Sequence, residues 1–449
     1  MRDALTQAGL AANDPVHVRV SNHPLDLAAY AGVWLAGGVV VPLHRTSPPG
    51  AIAHVIAKTR ARFEWDALRA SPLAILASDA SAARPILEGA ALIVFTSGSS
   101  GMPKGTALSH RGFIGKLQAI QSVLGFSKGD RTLLVLNITF SFGMWVALLT
   151  LLHGGCVLAR ERFSAAGFLR DLEDSRATQV AVVPTMMRNL ILDVPQAELE
   201  AQGRSLAAAG ALRKMLIGGE MLGAGLAATL RALIRPAELY DIYGLTETST
   251  CDFFLLPNEA DRYAGCIGRP SPGVRYRILD NNGAAVPQGE IGELNIASPF
   301  LMSGYLDEPA LEPIKAGWLA TGDLARERDH GVVELVGRKK ELIYRGGNKV
   351  SPQEIEFACG AHPKVAGALA VGRPDERLGQ RIHTLLVPRE QGLTVSDLRA
   401  FLATRLEKYK QPDVFYLARE LPAGRTGKAD RGRFAAMLEE GALRPMEEQ

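Results

Sequence analysis

The segment FTSGSSGMPKG, Phe95 to Gly105, sets glycines beside four hydroxyls (Thr96, Ser97, Ser99, Ser100) and one lysine, Lys104. Glycines let backbone N–H groups converge, hydroxyls add donors and a lysine adds a point charge, a combination suited to gripping a phosphate. A tight turn is the other reading of the same residues. The apolar run that precedes it, ending LEGAALIV at Val94, predicts a strand feeding the loop. The loop is not a P-loop. Counting from Gly98, the position that G-x-x-x-x-G-K-[ST] reserves for glycine holds Pro103, and Lys104 is followed by Gly105. Four further segments carry reactive groups: YDIYGLTET (Tyr240–Thr248), TGDLA from Thr321, GRKKELIYRGGNKVSPQEIE (Gly337–Glu356) and LPAGRTGKADR (Leu421–Arg431).

Taken in this order, the five segments resemble the motifs of the adenylate-forming superfamily of acyl-CoA synthetases, adenylation domains and luciferases, in motif style closest to acyl- or aryl-CoA ligases. The resemblance covers nearly the whole chain. It implies an α/β fold: a large N-terminal domain of layered parallel sheets with helices plus a small β-rich subdomain, then a small mobile α+β C-terminal domain. On this reading 1–339 is the ATP- and acid-binding domain, shortened at its start, and 340–449 the mobile domain. It also implies two half-reactions: a carboxylate attacks the α-phosphate of ATP to give acyl-adenylate and pyrophosphate, then a thiol, usually that of coenzyme A, displaces AMP.

The resemblance assigns roles to matching residues. Thr96, Ser97, Gly98, Ser99, Ser100, Gly101 and Lys104 would cradle the β- and γ-phosphates. Tyr243 would lie against adenine, with Gly218, Gly219, Glu220, Asp241 and Gly244 nearby. Thr246 would contact the α-phosphate, and Glu247 would help hold Mg²⁺, a hard cation that prefers carboxylate and phosphate oxygens. Asp323 would accept from the ribose hydroxyls, assisted by Arg338. Lys428 resembles the adenylation lysine, Lys340 the hinge, and Gly346 and Gly347 would line the pantetheine tunnel.

The acid pocket would draw on Phe140, Ser141 and Phe142 of FSFGMW and on Gly218. Amino-acid-activating relatives resemble FDxSxW here, with an aspartate for the substrate ammonium. Ser141 in that place argues against α-amino acids, because a neutral hydroxyl does not replace a buried counter-charge. The aromatics point to an apolar acyl or aryl group, although Met144 and Trp145 read equally well as core. Arg188 could bind a second carboxylate or be structural. Three functions remain: a ligase using coenzyme A, an adenylating enzyme loading a carrier protein's phosphopantetheine thiol, and a non-catalytic binding protein of the same fold.

These residues need a scaffold. PVHVRV, LDLAAYAGVWLAG and VVVPL alternate strand, helix and strand, as do QVAVVP, TMMRNLIL and KMLIGG, which predicts parallel sheets covered by helices. VRYRILD, GELNIAS and GVVELVG predict the β-rich part. The stretch from Thr132 to Ala159 has no Asp, Glu, Lys or Arg, but Asn137, His153 and Gly154-Gly155 interrupt it, so it reads as a buried strand–helix–strand rather than a membrane span. At 449 residues, 47% hydrophobic and 22% charged, the chain is globular and multi-domain. A net charge of +3 without Lys/Arg blocks argues against nucleic acid. Four scattered cysteines without a C-x-x-C pair, and no signal peptide, suggest free thiols in the cytoplasm.

Overall fold

The apolar runs of the sequence become two mixed sheets. The computed structural model describes residues 1–76, 84–97, 103–308, 313–424 and 429–447. The first sheet orders Gly304–Tyr305, Pro103–Ser109, Ala90–Ser97, Val39–His44, Pro15–Val20, Phe63–Trp65 and Leu73–Ile75. The second orders Arg269–Pro270, Phe253–Leu255, Glu238–Tyr243, Lys214–Gly218, Gln179–Val182, Arg131–Leu134 and Cys156–Ala159. Their cores are Val- and Leu-rich: Val16, Val18, Val40 and Leu92 in the first, and Val180, Val182, Met215 and Ile217 in the second, are fully buried.

The parallel sheets expected from the alternation form the centre of each layer, and antiparallel strands extend them toward the edges. The central strands are parallel, but Ala90–Ser97 pairs antiparallel with Pro103–Ser109, and Glu238–Tyr243 antiparallel with Phe253–Leu255. The reason is the length of the connections. Residues 98–102 and 244–252 are too few for a parallel crossover, which needs a dozen or more. Both of these connections are motif segments, so the candidate site lies where each parallel sheet turns antiparallel.

The charge-free stretch is strand Arg131–Leu134, helix Ser141–Leu152 and strand Cys156–Ala159, the two strands adjacent and parallel. Met144 and Trp145 are fully buried core residues. No helix among the described residues is long and apolar enough to cross a membrane. The β-rich part is a five-stranded sheet containing Arg275–Leu279, Gly292–Ala297, Trp318–Glu327 and Val333–Arg338. The C-terminal part has its own core, from Ile343 through Ile355, Ile382, Leu386 and Leu398 to Phe415. That core packs helices Pro352–Gly360 and Val395–Ala403 on the sheet Val365–Asp375, Gly379–Pro388, Val414–Leu417.

Candidate active site

Asp323 and Arg338 face each other in the antiparallel pair Trp318–Glu327 and Val333–Arg338. The Arg338 Nε donates to Asp323 Oδ1 at 2.8 Å, and the Tyr243 hydroxyl donates to Asp323 Oδ2 at 2.6 Å. Tyr243 ends a strand of the second sheet, so this contact ties that sheet to the β-rich one. Burial, then the Asp323 carboxylate, holds the Tyr243 phenol well above its usual pKa, so it remains a donor. Asp323 is 3% exposed, yet each carboxylate oxygen keeps a lone pair for a further donor.

Beside this triad the backbone runs close to itself. A Cβ on Gly218 would meet the Ile242 carbonyl oxygen at 2.3 Å, and one on Gly244 the Cys251 nitrogen at 2.1 Å. Only glycine fits at these two places. Asp241 is buried and pushed up to about 7, with relief from the Ile242 N–H. Gly219, Glu220, Asp241, Tyr243, Gly244, Asp323 and Arg338 share one cavity of about 1630 Å³, which Phe357, His362 and Arg431 of the C-terminal part also line. A space this size has room for a nucleotide together with a second substrate.

The other predicted cluster gathers around Glu247. Thr96 and Lys104 are paired strand residues at the base of the glycine segment, and the Pro103 carbonyl contacts His54 Nε2 at 2.8 Å. Gly98, Ser99, Ser100 and Gly101 lie outside the described residues. The Lys104 ammonium sits 5.4 Å from the Tyr305 ring centroid, and the Tyr305 hydroxyl donates to Glu247 Oε1 at 2.8 Å. Burial and the neighbouring Glu247 both raise the Tyr305 phenol. Thr246 lies 3.4 Å from Ser141, oxygen to oxygen. Among the described residues no group of three or more His, Cys, Asp or Glu could cage a metal. The one carboxylate of Glu247, with Oε2 not engaged by Tyr305, fits Mg²⁺, an ion that takes most of its ligands from substrate phosphates and water.

Phe142 stacks on Trp145 with centroids 5.4 Å apart, and Phe140 precedes the helix they share. Arg188 is not an isolated cation: its Nη1 donates to Glu220 Oε2 at 2.9 Å, and the Thr185 hydroxyl also donates to that carboxylate at 2.8 Å. Glu220 therefore braces the cavity wall, and Arg188 has its counter-charge from within the chain.

Lys340 lies in the short turn Lys339–Glu341, immediately after the Asp323–Arg338 pair. Gly346 and Gly347, both at positive φ, join strands Ile343–Arg345 and Asn348–Val350, with open space around each and no share in the cavity wall. Lys428 lies outside the described residues. Its flanks are fixed: Ala423 bridges Ala429, and the Asp430 N–H donates to the Pro422 carbonyl at 2.8 Å.

Sequence reasoning missed Tyr305 and Lys116. Tyr305 carries no signal in SGYLDEP. Lys116 does: it interrupts the apolar face Phe113, Leu117, Ile120 and Leu124 of helix His110–Leu124.

The AMP-binding enzyme family profile matches residues 2–306, and the AMP-binding enzyme C-terminal domain profile matches 354–428. Sulfoacetate–CoA ligase of Cupriavidus necator is 32% identical over 94% of this chain and 87% of its own length. A fatty acid–[acyl-carrier-protein] ligase of Streptomyces coeruleorubidus is 32% identical over 75% of this chain, which spans 65% of that ligase. The amide bond synthetase McbA from Marinactinospora thermotolerans superposes with a TM-score of 0.85 at 26% identity, covering 97% of this chain and 92% of that one.

Proposed function

The chain belongs to the AMP-binding enzyme family, and from that membership we propose that it joins a carboxylic acid to a thiol at the expense of ATP. A carboxylate oxygen attacks the α-phosphorus and the bond to pyrophosphate breaks, leaving acyl-adenylate. The thiolate of coenzyme A then attacks the acyl carbon, and AMP departs with the C–O bond electrons. The product is an acyl- or aryl-CoA thioester. The observation that carries this reading is the joining of Tyr243, Asp323 and Arg338 at the large cavity by hydrogen bonds of 2.6 and 2.8 Å.

In this scheme Tyr243 packs against adenine, Asp323 accepts from the ribose hydroxyls with Arg338 beside it, and Thr96, Ser97 and Lys104 approach the leaving phosphates together with the loop 98–101. Thr246 donates to the α-phosphate and Glu247 holds Mg²⁺, which would neutralise phosphate charge when bound. Phe140, Ser141, Phe142 and Gly218 border the acid. With no free counter-charge offered by Ser141, and with Arg188 engaged by Glu220, a hydrophobic monocarboxylate is the favoured class. The four cysteines are free, consistent with work in the cytoplasm.

The test is ATP–pyrophosphate exchange across a panel of acids, followed by coenzyme A and, separately, a phosphopantetheinylated carrier protein with mass-spectrometric detection. Exchange with one acid class and thioester formation on coenzyme A support the proposal. Loading of the carrier alone favours the second reading, which the similarity to the carrier-protein ligase supports. No exchange with any acid would leave only a binding protein.

Two variants probe the parts. Tyr305→Phe removes the hydroxyl that restrains Glu247, and loss of one hydrogen bond to a charged acceptor, about 1.5–3 kcal/mol, predicts exchange slower by roughly 10- to 100-fold. Retention of wild-type exchange would remove Tyr305 from the site. Lys340→Pro fixes φ at the hinge. It should leave exchange within about threefold while slowing thioester formation tenfold or more, read by single-turnover measurement of each half-reaction.

A further inference from the structure

The interior next to Glu247 contains a charge pair that the scheme above does not use. Lys116 and Asp252 are both fully buried, and Lys116 Nζ donates to Asp252 Oδ1 at 2.8 Å. The ammonium also reaches the Cys251 carbonyl at 3.4 Å, and the Thr248 hydroxyl donates to Asp252 Oδ2. Between Thr248 and Asp252 three successive non-glycine residues, Ser249, Thr250 and Cys251, have φ of 60°, 74° and 49°. Left-handed backbone at three consecutive side-chain-bearing residues is strained and persists only where its surroundings over-determine it. Lys116 and Asp252 both bond to this turn, at the Cys251 carbonyl and the Thr248 hydroxyl.

The same ammonium lies 5.1 Å from the Phe300 ring centroid. Phe300 is clamped in turn: its ring would meet a Cβ on Gly115 at 2.8 Å, and its carbonyl accepts from Ser249 Oγ at 2.7 Å. Two residues on, the Met302 N–H donates to the Glu247 carbonyl at 2.8 Å, and three residues further Tyr305 donates to the Glu247 carboxylate. Helix His110–Leu124, the strained turn and the segment carrying Tyr305 thus meet at Lys116, and Glu247 is held from both the turn and that segment.

We propose that the buried Lys116–Asp252 pair is a positioning element, fixing the left-handed turn and the Phe300–Tyr305 segment so that the Glu247 carboxylate is presented to Mg²⁺·ATP. This rests on the adenylate-forming reading of the site. Lys116 touches neither nucleotide nor metal in this scheme; it acts through the turn. Removing one partner of a buried pair leaves an uncompensated charge, whereas replacing both by apolar groups of similar volume is often tolerated. Stability and positioning can therefore be separated.

The experiment measures ATP affinity by calorimetry with Mg²⁺ and with EDTA, alongside thermal unfolding, for wild type, Lys116→Met, Asp252→Asn and the double variant Lys116→Met/Asp252→Leu. The ratio of the two affinities should fall at least fivefold in every folded variant, the double variant included, even where its unfolding midpoint is close to wild type. Asp252→Asn, which keeps the shape of the site, is the fallback if Lys116→Met fails to fold. A folded variant whose Mg²⁺ ratio stays within twofold of wild type overturns the proposal. A wild-type chain that binds ATP with no Mg²⁺ dependence overturns instead the role given to Glu247, and the proposal with it.

Discussion

Lys428→Ala is expected to slow adenylate formation by about 10²- to 10³-fold, comparable to loss of an oxyanion-hole donor, while thioester formation from preformed acyl-adenylate changes little. As the carboxylate attacks, negative charge concentrates around the α-phosphate. A unit charge about 4 Å away is worth roughly 4 kcal/mol at an effective dielectric near 20, enough for a factor of about 10³. A lysine bridging the substrate carboxylate and that phosphate supplies this charge only in the first step. In the second, the departing group is AMP and the attacking atom is sulfur, and an ammonium there has no comparable task.

The variant should fold. Ala423 bridges Ala429, Asp430 Oδ1 caps helix Arg431–Glu439 through the Arg433 N–H at 3.0 Å, and Arg431 pairs with Glu341 at 2.9 Å and Glu356 at 2.6 Å. None of these contacts involves Lys428. Glu341 follows Lys340 directly, so Arg431 also links the segment after Lys428 to the turn Lys339–Glu341. Pyrophosphate exchange, thioester formation from synthetic acyl-adenylate and the unfolding midpoint would be measured together. Equal loss in both half-reactions would remove Lys428 from its assigned role.

What could be read from the sequence follows from how local each signal is. Strands such as VVVPL and QVAVVP declare themselves through continuous apolar runs, and the strand–helix–strand of 132–159 through its interrupting Asn137 and paired glycines. Strand direction at the edges was not legible in the apolar runs, because they do not encode polarity; connection length does, and 98–102 is short enough to reveal it. Within the site, Tyr243, Asp323 and Arg338 stood out because they sit in recognisable segments. Their joining on one carboxylate did not, since it depends on two sheets packing. Lys116 and Asp252 lie 136 residues apart, and neither belongs to a motif. The one local sign was a lysine on an apolar helix face, which only a distant partner could explain.

Asp323→Ala is expected to lower kcat/KM for ATP in pyrophosphate exchange by about 10²-fold, mostly through KM. Two ribose hydroxyls donating to a carboxylate lose about 1.5 kcal/mol each at the low end, and 1.4 kcal/mol is tenfold in affinity. A structural loss is also expected, because the Tyr243 hydroxyl and the Arg338 guanidinium both lose their partner at 2.6 and 2.8 Å. The two contributions can be told apart with the ligand. Wild type should discriminate between ATP and its 2′,3′-dideoxy analogue by about the same 10²-fold, and Asp323→Ala should discriminate hardly at all, because the acceptor is gone. Loosening of Tyr243 and Arg338 alone would weaken both nucleotides equally and leave the ratio intact. An unchanged ratio would therefore assign Asp323 to bracing the junction of the two sheets, and the ribose would have to be held elsewhere on the cavity wall.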